Sequence, residues 1–179
     1  MAWSAPMTAV ANSTFTAAQF NQYVRDNLNE TAPAKTTAAS SYVVGAGVNS
    51  IVERRAVAAS DLSVGNTTST TFGDLPDSGI GPQVTVETGP SALVIVRCSA
   101  ETTGAGSARM AYEITGDSSI APADNRGIGV FGVAGAGVIC SSVSIHKDLT
   151  PGTNTFTAKY RVSSGTGSFS SRRLGVFPL

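Results

Sequence analysis

Asn154-Thr-Phe-Thr-Ala-Lys-Tyr-Arg-Val162 decides the fold class. In an extended chain Phe156, Ala158, Tyr160 and Val162 fall on one side, and Thr155, Thr157, Lys159 and Arg161 on the other. A period of two with one apolar and one polar side belongs to a strand that covers a core with a single face. Ala108-Arg-Met-Ala-Tyr-Glu-Ile-Thr115 repeats it, with Ala108, Met110, Tyr112 and Ile114 set against Arg109 and Glu113. Working outward, further strands are expected at 67–72, 83–87, 92–99, 127–131, 138–146 and 173–177. Turn clusters such as Thr88-Gly89-Pro90, Gly104-Ala105-Gly106, Thr150-Pro151-Gly152 and Gly165-Thr166-Gly167 lie between them. Short strands with such turns and no intervening helices read as mainly β, an antiparallel jelly-roll or β-sandwich domain over 67–179. In 92–99 both sides are apolar, Leu93 and Ile95 opposing Val94 and Val96. A second cover from a neighbouring subunit is therefore expected there.

Ahead of this domain the period changes. Thr16 and Gln19 have the spacing of a capping box, and Phe15 and Phe20 that of a hydrophobic staple. Phe20, Val24 and Leu28 then recur every four residues with Tyr23 beside them, which predicts a helix over 17–28 that Pro33 prevents from running on. So short a helix is marginal alone, and its apolar stripe needs a cover. Trp3 and Pro6 sit in a short apolar segment, and a free terminus frays unless something ties it down. Packing against a partner is the expectation. Residues 1–35 are read as an N-terminal anchor, with Trp3, Phe15, Phe20, Tyr23, Val24 and Leu28 as the partner-docking side chains. Residues 36–66, dominated by Ala, Ser, Thr and Gly, are read as a linker with short strands at 42–44 and 51–52.

Composition narrows the function. Only 13% of residues are charged, against about 25% in an ordinary soluble domain. The 12 basic and 12 acidic residues cancel, so there is no basic field for nucleic acid and little repulsion between copies. The longest purely apolar run, Ala92 to Val96, is far too short to cross a bilayer, and MAWSAPMTAV lacks the basic start and apolar stretch of a signal peptide. Synthesis in the cytoplasm, with no membrane partner, is expected. Cys98 and Cys140 are read as reduced thiols in apolar strands, a cross-strand disulfide being the alternative. With one histidine in the chain, neither a zinc site nor any other metal or cofactor is expected.

The motifs that suggest chemistry are better explained without it. Gly127-Ile-Gly-Val-Phe-Gly132 has the letters of a dinucleotide-binding loop, but Val-Ala-Gly-Ala-Gly follows it instead of a helix. His146 and Asp148 could belong to a hydrolase triad, yet His146 ends a strand where an exposed polar residue is expected, and there is no GxSxG elbow. Glu87, Glu101, Glu113, Asp117 and Asp124 offer carboxylate pairs with nothing to single one out. Arg172-Arg173 is expected to face solvent or pair with acids across a subunit interface. No catalytic residue is assigned.

Thr16-Ala-Ala-Gln19, Phe20, Asn21, Val24, Arg25, Asp26 and Asn27, preceded by Trp3, resemble the N-terminal signature of small virion proteins of actinobacterial phages, of the head-decorating or minor tail type. The stretch 149–179, with Thr150-Pro151-Gly152 before a strand and Arg-Arg-Leu-Gly-Val-Phe-Pro-Leu at the end, is similar to trimeric fibre heads with a tumour-necrosis-factor-like jelly roll. The resemblance implies a non-enzymatic virion structural protein, a homotrimer docked on the major capsid protein or on tail proteins, at the virion surface. Capsid decoration is the first reading. A tail fibre whose β head binds a host-surface glycan is the alternative, against which stands an aromatic content of 7% with the sole Trp in the anchor.

Overall fold

The computed structural model of the protein describes residues 3–132, 135 and 137–179, the side chain of Pro33 apart. Two compact units divide the chain, 1–55 and 56–179.

In the first unit Thr16 opens a helical run. Its hydroxyl accepts from the Gln19 N–H, and the Gln19 side chain accepts from the Thr16 N–H at 2.9 Å, the reciprocal bonds of a capping box. The Phe15 and Phe20 rings meet edge to face, 6.1 Å between centroids. The run passes from an α-turn, Ala17–Phe20, through a π-turn, Asn21–Arg25, to a second α-turn, Asp26–Asn29. A further turn, Ala32–Lys35, starts with Pro33 in the first-turn position that tolerates it. Strands β1 (Tyr42–Gly47) and β2 (Ser50–Arg54) form a hairpin. The Glu53 carboxylate of β2 accepts the backbone N–H groups of Thr37 and Ala38, each at 3.0 Å. Bonds from Ser41, Thr37 and Ala38 pull its pKa down to about 2.

The N-terminal segment is tied to its own unit at residues 3 and 4. Trp3 N–H donates to the Asn49 carbonyl at 2.8 Å. Buried Asn27 accepts the Ser4 N–H at 2.8 Å and donates to the Ser4 carbonyl at 3.1 Å, copying a strand's pairing with one side chain.

In the second unit the alternation read from sequence becomes two facing sheets. The strands are β3 (Val57–Asp61), β4 (Gly65–Thr67), β5 (Gln83–Thr88), β6 (Ala92–Thr102), β7 (Ser107–Gly116), β8 (Ile128–Phe131), β9 (Val138–His146), β10 (Gly152–Val162) and β11 (Gly167–Pro178). One sheet runs β3-β11-β6-β9, with β4 continuing the β3 edge along β11; the other runs β5-β10-β7-β8. Taking β3 and β4 as one position, the eight positions order as 1-8-3-6 and 2-7-4-5. This is a jelly roll. All of these pairings are antiparallel. Val94, Val96, Met110, Tyr112, Ile114, Phe156, Tyr160, Val162, Phe169, Leu174 and Val176 fill the space between the sheets.

Three differences from the sequence reading have physical causes. Residues 57–61, read as part of a linker, form the edge strand β3, because β11 supplies its partners from Val176↔Val57 to Arg172↔Asp61. Residues 68–72 are not a strand. The Ser69 N–H turns to the Thr67 hydroxyl and the Thr71 N–H to the Ser69 hydroxyl, local bonds that compete with a ladder. The last strand starts at Gly167 rather than Arg173, since a bulge between Ser170 and Arg173, with Ser171 at φ 50°, shifts its phase.

Candidate functional site

The six docking candidates divide by exposure. Phe20 is 48% and Leu28 60% exposed, and Phe15 and Trp3 are exposed as well, whereas Tyr23 and Val24 are half-buried. Exposed Val10 and Val48 extend the same unit's apolar surface. The staple brings Phe15 to Phe20, and the π-turn explains why Val24 is out of line with its neighbours. There the Asp26 N–H reaches back five residues to the Asn21 carbonyl, so a four-residue step no longer closes one turn. Trp3 lies elsewhere, bonded through its backbone to the hairpin. Asn27, which the sequence reading did not single out, is the residue that fixes the segment carrying Trp3. Its place in the matched Asp26-Asn27 pair was the available signal.

The outer faces of the two sheets differ in chemistry. On β5-β10-β7-β8 most outward residues are polar and paired with one another, with exposed Phe131 under the Arg109 guanidinium. Lys159 bridges Asp74 at 2.9 Å and Glu113 at 3.0 Å. Arg161 and Arg109 stand directly opposite across β10 and β7, and Asp124 holds both. Those bonds depress the Asp124 pKa, that from Arg161 foremost. On β3-β11-β6-β9 the outward residues mix apolar side chains with two exposed arginines, Arg97 and Arg173, which stand opposite each other across β6 and β11. Ile139, Val143, Ile145 and Phe177 are exposed there, and Leu93 and Ile95 half-buried. A groove of about 320 Å³ lies among Ala58, Ile95, Arg97, Arg173, Gly175 and Phe177.

Residues expected at the surface prove to be buried. His146 is 9% exposed, its Nε2 2.7 Å from the Tyr112 hydroxyl. Burial, and then the positive charge of Arg126, push its pKa down. Arg172, expected to face solvent or another subunit, is fully buried within its own domain. It bridges Asp61 at 2.6 Å, donates to the hydroxyls of Ser78 and Ser63, and lies over the Tyr160 ring. Gly127 is glycine because a Cβ there would strike the Met110 carbonyl, so the dinucleotide-like letters record strand packing. The loop read after that motif lies partly outside the described residues. Cys98 and Cys140 are both free thiols and face each other across β6 and β9, with burial raising the Cys98 pKa to about 12. Among the described residues no group of three His, Cys, Asp or Glu side chains is placed to hold a metal, and no helix is long and apolar enough to cross a membrane.

No protein-family model and no curated protein matches the chain. Among solved structures it is similar to that of the infectious bursal disease virus Gx strain, at 12% identity and TM-score 0.47 over 79% of this chain. The chain spans 39% of that viral chain's length. It is similar also to Eiger TNF from S. frugiperda, at 11% identity and TM-score 0.44, covering 69% of this chain and 92% of that one. A third is the carbohydrate binding module CBM6cm-2 from Cellvibrio mixtus lichenase 5A in complex with cellotriose, at 13% identity and TM-score 0.32, covering 80% and 92%. It is the strand order that makes this domain a jelly roll.

Proposed function

We propose that the protein is a non-enzymatic virion structural protein of an actinobacterial phage, a capsid decoration or head-fibre protein. Residues 1–35 dock it on the particle, and the jelly roll joins it to further copies of itself as a homotrimer at the virion surface. One observation carries the docking: Phe15, Phe20 and Leu28 remain exposed on a unit whose helical run is already capped by Thr16. Apolar side chains of this size, grouped on a surface, mark a place where protein meets protein. The apolar side chains on the outer face of β3-β11-β6-β9, Ile95, Val143, Ile145 and Phe177 among them, support self-association. Three weak anchors on one trimer would reinforce each other through effective concentration.

The test uses full-length protein carrying Phe20→Asp and Leu28→Asp, mixed with particles prepared without it. Loss of decoration with the chain's mass in solution unchanged is the expected result; full decoration would refute the docking role. A second reading, a minor tail protein whose β head binds a host-surface glycan, is favoured by a polar cleft beside His146.

A further inference from the structure

A cleft of about 530 Å³ opens where the end of β9 meets the loop between β7 and β8. Ile120, Asn125 and Arg126 line it from the loop, and Ser144, His146 and Asp148 from β9 and the residues after it. Three features separate it from an accidental gap. The first is Arg126. Its Nη2 donates to the Ala121 carbonyl, which fixes the half-buried guanidinium against the loop. A guanidinium held in this way is a charge-assisted donor for an anion. The second is the neutral floor. His146 is tied to Tyr112, and burial, then the Arg126 charge, opposes protonation of its ring, so the site's positive charge comes from the arginine and from Lys147. The third is Asp148. As a carboxylate it can only accept, and it would repel a bare oxyanion, yet it suits a molecule bearing hydroxyl donors.

We infer that this cleft binds a small hydroxylated carboxylate, of the class of uronic and sialic acids, with its carboxylate on Arg126 and its hydroxyls toward Asp148, Asn125 and Ser144. A guanidinium and a carboxylate make a charge-assisted pair of defined geometry, and the volume lies within the range of small-molecule sites. The inference deepens the glycan-binding reading and rests on it for the ligand's origin. Binding of a free sugar acid is nevertheless measured without any cell or particle, so its failure leaves the docking role untouched.

The experiment titrates the full-length protein with glucuronate, N-acetylneuraminate, glucose and inorganic phosphate, following the Arg126 Nε–H resonance and the His146 ring signals by NMR. Saturable shifts of Arg126 with one of the two sugar acids are expected, at least tenfold tighter than with glucose or phosphate. Arg126→Gln should weaken that binding at least tenfold. Phosphate binding as tightly as both acids would overturn the assignment, as would an Arg126 resonance that no sugar acid moves. The wild-type resonance decides the matter even if Arg126→Gln fails to fold.

Discussion

Arg172 shows what a buried charge does when its partners come from its own chain. The bulge before it turns it inward, and there it joins β11 to Asp61 at the end of β3, to Ser63 beyond it, and to Ser78. The two members of the pair are not equivalent. Asp61→Asn leaves a fully buried guanidinium without its counter-charge, which should cost about 3–5 kcal/mol. Arg172→Met leaves an aspartate that still reaches water and the Ser63 N–H and hydroxyl, so about 1–2 kcal/mol is expected. Urea unfolding of the two variants checks the order; a milder Asp61→Asn would show that the bridge is not what holds β3. His146 gives a second test at this scale. Its folded pKa lies below the ordinary value of 6.5, so as pH falls through that value the unfolded chain takes up the proton first. Stability should therefore decline as pH drops from about 6.5 towards the folded pKa, and be unaffected above it. In His146→Gln that part of the acid limb disappears, which thermal unfolding across pH 4–8 would measure.

At the scale of elements, the first unit is held by a few polar contacts, and Glu53 answers to pH. Its pKa is depressed to about 2 by bonds from Ser41 and from Thr37 and Ala38. The stabilisation it supplies is complete above the ordinary carboxylate value and is lost as pH falls from there towards 2. Protection of the Thr37 and Ala38 amides from exchange, relative to an unfolded chain at the same pH, should fall over that window in the wild type and already be low at neutral pH in Glu53→Gln. These elements also show what a sequence can yield. Strand β10 was legible because its two sides differ residue by residue, and the helix because Thr16, Gln19, Phe15 and Phe20 each occupy a position with one meaning. Val57-Ala-Ala-Ser-Asp61 carries no such contrast and is a strand only because β11 lies beside it. Arg172 was unreadable because a bulge reverses the phase two residues earlier, and Arg126 because its cleft joins a loop to a strand about twenty positions further on.

For the whole molecule the question is what lies against the outer face of β3-β11-β6-β9. Phe177 is exposed there beside the groove formed with Ile95, Gly175, Arg97 and Arg173, while the corresponding face of the other sheet carries ion pairs along β10 and β7. A chain with equal numbers of acids and bases has no long-range repulsion to keep copies apart, and a neighbour covering this face would gain apolar area while meeting Arg97 and Arg173 with acids. Three copies around one axis must use a heterologous contact, in which this face meets a different surface of the next copy, so one altered residue per chain disturbs every interface of the ring. Light scattering of the wild type should give three chains. Phe177→Asp should return a folded single chain, and Glu113→Gln, on the charged sheet, should leave three. A wild-type mass of one chain at micromolar concentration, or a Phe177→Asp assembly of undiminished mass, would place the contact elsewhere and remove the reason for this face's apolar side chains.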